Sequence, residues 1–315
     1  MRKIPLIFSG IVAVIVLLVA CSKADTPATG GNVFTAVAAA FGTQIDLNNL
    51  ANYAAQTKPA YIVKDNTGNN PITNAKATLG RVLFYDKKLS IDNTISCASC
   101  HKQAFAFSDT ALISAGVAGG LTDRHSMRLV NERFGVEAKF FWDERAVSLE
   151  NQTTQPIADH KEMGFSGQAG RAGIAALLAK LQATDYYNEL FKFTYGDITV
   201  TEPRLQECLA QFVRSIQSFD AKYDIGRAQV NNDRQPFPNF TAQENEGKDL
   251  FLTPPVFDGN SSRIGGGLGC NGCHNAPEFD IDPNTRNNGV IALAVGAGQD
   301  INVTRAPTLR DLVNN

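Results

Sequence analysis

Tryptophan occurs once in the 315 residues, methionine three times, histidine four times and cysteine six times. Six cysteines are too few to form a disulfide scaffold for a chain this long, so their positions carry more information than their number. Positive charge is not in excess: 29 Lys and Arg stand against 31 Asp and Glu, for a net charge of −2. That balance argues against nucleic acid as a partner. With 26 glycines and 13 prolines the chain is too poor in both to be fibrous. Its 43% hydrophobic and 19% charged residues exclude a disordered chain. No stretch sustains the alternation of apolar and polar residues that marks a strand, so the expected fold is mainly α. The length allows about two domains.

No apolar run is long enough to be a comfortable transmembrane helix, which needs about 20 residues. The nearest approach follows Arg2 and Lys3, where Ile4 to Ala20 is almost unbroken. Its shortness fits the apolar region of an export signal. It ends Leu18-Val19-Ala20-Cys21-Ser22. Small residues before a cysteine resemble a bacterial lipobox, which implies cleavage before Cys21 and lipidation of its sulfur. The alternative is an ordinary signal anchor with an idle cysteine. Ala24 to Asn32 is small, polar and glycine-rich and reads as a flexible tether. The expectation is a lipoprotein signal over residues 1–20 and a tether over 21–32. The mature protein is then periplasmic and held to the membrane through Cys21, in a compartment that permits thiol oxidation.

Four of the remaining cysteines fall into two copies of one pattern: Cys97-Ala98-Ser99-Cys100-His101 and Cys270-Asn271-Gly272-Cys273-His274. C-x-x-C-H is the attachment signature of c-type haem. Two thiols one helical turn apart add to the two vinyl groups of a haem, and the adjacent imidazole becomes the proximal ligand of the iron. Zinc bound by Cys97, Cys100, Cys270 and Cys273 is the competing reading. It leaves His101 and His274 unexplained, whereas two covalently bound haems account for both. Upstream of each motif stands a similar word, Leu79-Gly80-Arg81-Val82-Leu83-Phe84 and Glu246-Gly247-Lys248-Asp249-Leu250-Phe251. This is an internal repeat of a short helix followed by a haem motif. Thr241 with Glu244 three residues later forms a capping box for the second helix.

Between the repeats lies a helical connector. Thr201 is a suitable N-cap, with Pro203 in the first turn. Leu205, Leu209, Phe212, Val213, Ile216 and Phe219 recur at helical spacing and include Cys208 on their face as a buried small residue. Residues 173–181 and 186–193 read as two further helices. The architecture expected is two cytochrome c-like haem domains, each a few helices around one haem. An N-terminal helical extension spans 33–74, the first haem domain with its connector 75–225, and the second haem domain 240–315.

The chain resembles the bacterial dihaem cytochrome c peroxidase family from about Leu79 onwards. The words that carry the resemblance are Leu79-Gly80-Arg81-Val82-Leu83-Phe84-Tyr85-Asp86, the first haem motif, Phe105-Ala106-Phe107-Ser108-Asp109, Phe141-Trp142-Asp143-Glu144-Arg145-Ala146, Glu162-Met163-Gly164 and Arg305-Ala306-Pro307-Thr308-Leu309-Arg310. The resemblance implies an N-terminal haem where hydrogen peroxide reacts and a C-terminal haem that takes electrons from a small c-type cytochrome or copper protein. It makes Glu162 the acid–base group that moves a proton between the peroxide oxygens. It makes Gln152 a hydrogen-bond donor to peroxide and Trp142 an electron relay between the haems. Arg145 becomes a salt-bridge or propionate partner. A calcium ion and a homodimer are compatible with the family.

The chain departs from the family at two places. Val117 stands where many relatives carry a His that caps the peroxidatic iron. His125, eight residues on, occupies a place where relatives usually have the Asn that helps bind calcium; it is a substitute structural residue or a shifted ligand. His160 reads as a local hydrogen-bonding residue. The second departure is the C-terminus, where relatives continue to a Met ligand of the second iron. Here the methionines are Met1, Met127 and Met163. A C-terminally incomplete second domain is the expectation, another sixth ligand or none the alternative. The function expected is peroxide reduction. The alternatives are a dihaem oxidase or maturation enzyme acting on a protein or organic substrate, and a dihaem electron carrier without catalysis.

Overall fold

A computed structural model describes residues 33–135, 139–280, 289, 292–293, 296–301 and 305–310. The expected leader, Cys21 and the tether lie outside these residues. Nine helices and one small hairpin occur among the described residues. In chain order they are α1 (Thr35–Phe41), α2 (Asn74–Tyr85), α3 (Cys97–Cys100), α4 (Leu149–Ala158), α5 (Ile174–Gln182), α6 (Asp185–Tyr195), α7 (Glu202–Arg214), α8 (Lys222–Arg227) and α9 (Ala242–Leu252). Strands β1 (Pro255–Phe257) and β2 (Arg263–Gly266) pair antiparallel, with an irregularity in register between Val256 and Phe257. The fold is mainly α, as the composition and periodicity indicate.

The helices begin where the sequence supplies a cap. Thr73 accepts from Lys76 N, Ser148 from Asn151 N and Thr201 from Arg204 N, each satisfying an otherwise unpaired first-turn amide. Thr241 and Glu244 form the expected reciprocal capping box. A second one, Ser96 with Ser99, opens the four-residue helix that carries Cys97 and Cys100.

The core is centred on the crossing of α2 and α7. Leu79, Val82, Leu83 and Phe84 of α2 meet Leu205, Cys208, Leu209, Phe212 and Val213 of α7, all buried. Each such aliphatic or aromatic side chain contributes roughly 1.5–3 kcal/mol by leaving water. Gly80 is what lets the helices approach: a Cβ there would sit 1.9 Å from the Cys208 carbonyl oxygen. Gly247, at the matching place in α9, meets no atom within 4 Å. Helices α5 and α6 close the other side through Leu177, Leu181, Tyr187, Leu190 and Phe191. Tyr186 and Tyr187 both donate to Asp86 Oδ2, at 2.6 and 2.8 Å, and so pin α6 to the end of α2.

The apolar series of the connector outruns its helix. Helix α7 ends at Arg214, and Ile216 and Phe219 lie beyond it. There Asn131 N donates to Ile216 O at 2.9 Å, while the Asn131 side chain bonds Ser218 in both directions. These non-local bonds take the place of another helical turn. In the extension over 33–74, helix before the start of α2 at Asn74 is confined to Thr35–Phe41 and a 3-10 turn at Gly42–Gln44. The remainder runs as an irregular strap. Asn66 bonds Glu132 O, Arg133 O and Arg214, and Tyr61 donates to Asp224 at 2.7 Å. Lys64 pairs with Asp280 at 2.6 Å and with Glu278 at 3.3 Å.

Candidate haem site

One cavity of about 390 Å³ brings together the first cysteine motif and every residue expected to act on peroxide. Cys97, Cys100, His101, Trp142, Gln152 and Glu162 all line it. Phe84, Leu149, Leu209 and Val213 supply apolar wall. That volume lies within the roughly 300–1,000 Å³ of small-molecule and cofactor sites.

Helix α3 presents both thiols from a single turn, and neither is in a disulfide. Burial pushes the Cys97 thiol up to about 12, so it is held as the neutral thiol. His101 follows directly, its N–H closing the turn onto Cys97 O at 2.9 Å. Its Nδ1–H donates to Phe107 O at 3.0 Å, which fixes the tautomer and leaves the lone pair on Nε2. Burial pushes His101 below the usual imidazole range, against the Phe107 and Met127 carbonyls and the charge of Asp109. A neutral, oriented imidazole is what a metal ligand requires. Neutral thiols, an oriented imidazole and a cavity of this size fit a c-type haem. Among the described residues no group of three or more His, Cys, Asp or Glu side chains converges on a metal-sized site, so the four thiols do not assemble a zinc site.

Glu162 reaches the cavity by a different route. Helix α4 carries Gln152, Thr153 and Pro156 along the cavity wall and stops at Ala158. The turn that follows is held by Asp159, whose Oδ1 accepts from Lys161 N at 2.7 Å and Glu162 N at 3.0 Å. On the far side Val117 N donates to Glu162 O at 3.0 Å. Gly116 permits this approach, since a Cβ there would lie 1.9 Å from Lys161 O. The Glu162 carboxyl is raised to about 7, first by burial, then by the negative charges of Asp159 and Asp123, with Arg145 opposing. A carboxyl poised near neutrality can both take and give a proton.

Val117 is itself buried and does not line the cavity. His125 lines it, but both ring nitrogens are engaged elsewhere: Nδ1–H donates to Ala111 O at 2.9 Å and Nε2 meets Ser108 Oγ at 3.1 Å. Of the two readings open for His125, this geometry is the structural one. The glycine-rich loop before it is pinned rather than free, with Gly116 N bonded to Gly120 O and Gly120 closely packed on Lys161. His160 bonds Ser166 Oγ at 2.9 Å, a local contact as expected. Trp142 Nε1 donates to His125 O at 2.8 Å, and Trp142 O accepts from Arg305 N at 3.0 Å. Arg145 pairs with Asp143 at 2.8 Å and lies 3.6 Å over the Phe141 ring.

The second motif forms a 3-10 turn over Cys270–Gly272, with His274 N bonded to Cys270 O at 3.0 Å. Burial pushes His274 below the usual range, against a bond to the Pro307 backbone. Residues 281–288, which follow this motif, lie outside the described part, as does the end of the chain from 311.

Two features of the site have little or no sequence signal. Asp159 acts on Glu162 through space and through the turn, and only its place three residues upstream hints at that. Arg305 lines the cavity and pairs with partly buried Glu132 at 2.7 Å, across a separation no local pattern encodes.

Comparison with known proteins gives the family and the fold. Residues 74–232 match the family model described as di-haem cytochrome c peroxidase. The methylamine utilization protein MauG of Methylophilus methylotrophus is 32% identical over 156 residues, which cover 50% of this chain and 44% of the relative. The cytochrome c551 peroxidase of Nitrosomonas europaea is 28% identical over 247 residues, covering 75% of this chain and 65% of the relative. The chain thus spans less than two thirds of the length of these curated relatives. Among solved structures, a MauG-like protein associated with microbial copper homeostasis superposes with a TM-score of 0.58 at 25% identity, over 81% of this chain and 75% of that one. The diheme peroxidase BthA of Burkholderia thailandensis shares the fold, with a TM-score of 0.50 at 24% identity, over 73% of this chain and 56% of that one.

Proposed function

This chain belongs to the di-haem cytochrome c peroxidase family, and from that premise we propose that it reduces hydrogen peroxide to water with electrons from a small c-type cytochrome or copper protein. The observation that carries the proposal is Glu162, raised to about 7 in the cavity that also holds Cys97, Cys100 and His101. An electron carrier has no use for such a group. In this reading Cys97 and Cys100 attach one haem covalently and Cys270 and Cys273 the other, with His101 and His274 as proximal ligands. When bound, the haems supply an iron that binds peroxide and a store for each of the two electrons the reduction consumes.

The chain's own residues do the rest. Glu162, as the carboxylate, accepts the peroxide proton and returns it to the departing oxygen, so that the second oxygen leaves as water rather than hydroxide. Gln152 orients the substrate by hydrogen bonding from the wall of α4. His101, held by Phe107 O through Nδ1–H, keeps the Nε2 lone pair available and would hold the iron. Trp142 serves as relay to the second haem. The expected leader would place this chemistry in the periplasm, tethered through Cys21.

The MauG relatives favour a second reading, oxidation of a protein or organic substrate by the same site. Steady-state peroxide turnover with reduced cytochrome c, followed at the haem absorption bands, separates the readings. Rapid donor oxidation on adding peroxide is the expected result. Peroxide consumption without donor oxidation would favour the maturation-type activity. No reaction with peroxide at all would leave a carrier.

A further inference from the structure

A path of backbone and side-chain contacts runs from the imidazole of His101 to the indole of Trp142, and His125 is its middle. His101 Nδ1–H donates to Phe107 O at 3.0 Å. The next residue, Ser108, shares its one hydroxyl proton between two acceptors, Ser126 O at 2.6 Å and His125 Nε2 at 3.1 Å. The other face of the same ring donates to Ala111 O at 2.9 Å. The backbone of His125 continues the path, its carbonyl accepting from Trp142 Nε1 at 2.8 Å. Apart from 3-10 turns at Gln103–Phe105 and Val117–Gly119, the described residues between α3 and α4 form no helix, and the ladder contacts among them are isolated bridges. Side-chain bonds therefore act beside a few backbone ones, such as Val117 N to Glu162 O and Arg305 N to Trp142 O, in placing residues 107–126 and the Trp142 loop. Deeper support comes from Ser114, which bonds Ser126 Oγ at 3.0 Å and donates to buried Asp109 at 2.6 Å.

We propose that His125 is a positioning residue: its ring braces the loop that orients His101, and its carbonyl holds Trp142 in a fixed relation to that loop. The inference rests on the haem reading above, since it assigns His101 to iron and Trp142 to electron transfer. It concerns neither as a catalytic group in its own right. Partners that orient a metal ligand from behind typically change metal properties or activity by about 10–100-fold when removed. A displacement near 1 Å of a reacting group has effects of similar size.

The test uses the haem-loaded full chain with His125→Leu, His125→Gln and Ser108→Ala. Two properties are read: the iron–histidine stretching band of the N-terminal ferrous haem by resonance Raman, and the rate of electron transfer between the haems by stopped flow. His125→Leu should move the band and slow transfer by about tenfold or more, with both haems still attached. His125→Gln, which keeps an amide donor within reach of Ala111 or Ser108, should recover most of both. Ser108→Ala removes the contacts to His125 Nε2 and Ser126 O but leaves the ring bonded to Ala111 O, and should shift both in the same direction by less. Should His125→Leu fail to fold, the other two variants decide. An unmoved band with a rate within about twofold of wild type would overturn the proposal, as would equal losses in the Leu and Gln variants. A wild-type protein with fewer than two haems, or with no iron–histidine band, would instead overturn the haem reading beneath it.

Discussion

Glu162 shows how burial and charged neighbours bring an ordinary carboxyl close to neutrality. Burial and the charges of Asp159 and Asp123 raise it to about 7, and Arg145 pulls the other way. The group must be ionised to accept the peroxide proton. Second-order peroxide reduction should therefore rise with pH through a midpoint near 7 and then level off. Asp159→Asn keeps the acceptor oxygen of the turn and removes a charge that favours the protonated form, so the midpoint should move to lower pH. Glu162→Gln should abolish that limb and cost about 10²–10⁴-fold in rate while retaining both haems. A change below about fivefold would remove Glu162 from the mechanism. The residues around the iron make a further prediction. Val117 is aliphatic and buried, and His125 is bonded to Ala111 and Ser108. If the first motif holds haem as proposed, neither is placed to cap its iron, and the fully ferric protein should show a high-spin signal from it in electron paramagnetic resonance. A wholly low-spin spectrum that becomes high-spin in His125→Ala would mean that His125 leaves its bonds to bind iron.

The two repeated helices invite a comparison at the level of elements. In α2, Gly80 lies against the backbone of α7 with no room for a methyl group; in α9, Gly247 faces open space among the described residues. The same substitution should then have opposite effects. Gly80→Ala must push α2 off α7 or distort one of them, at a cost of about 1–3 kcal/mol or more. Gly247→Ala loses no packing and gains helix propensity of about 0.5–1 kcal/mol. Urea denaturation of the two variants should move the midpoint down for the first and level or up for the second. Equal destabilisation would show that α9 is packed as tightly as α2.

At the scale of the molecule, segments distant in sequence meet around the cavity. Arg305 joins Trp142 and Glu132, and Arg310 is buried in an ion pair with Asp224 at 2.6 Å while donating to Pro277 O at 3.0 Å. Arg124 pairs with Asp300 and Asp143. Chain that follows the second cysteine motif thus contributes to the surroundings of the first. Two haems per chain is the corresponding whole-molecule prediction, checked by pyridine haemochrome on protein matured by an export pathway. Cys100→Ala and Cys273→Ala should each lose one. Because Arg305 stands on the cavity wall, disturbing the second module should also alter the spectrum of the first haem.

Chemistry that depends on adjacent residues was legible in the sequence. C-x-x-C-H carries its own geometry, since a single turn sets the spacing of Cys97, Cys100 and His101. The caps at Thr201 and Thr241 and the buried face of α7 follow from local bonding and from a 3.6-residue period. Glu162, Gln152 and Trp142 were found through resemblance; periodicity alone would have left them as a surface acid, an amide and a core aromatic. What only the tertiary structure decided are the relations between separate segments. These are the end of α7 at Arg214, which Asn131 enforces, the irregular course of residues 45–73, the bonding of His125 away from the cavity, and the approach of Asp159 and Arg145 to Glu162. Each depends on a contact whose partner lies across a loop or across the fold. The energy of such a contact is set by distance and burial in three dimensions, quantities that the order of residues along the chain does not contain.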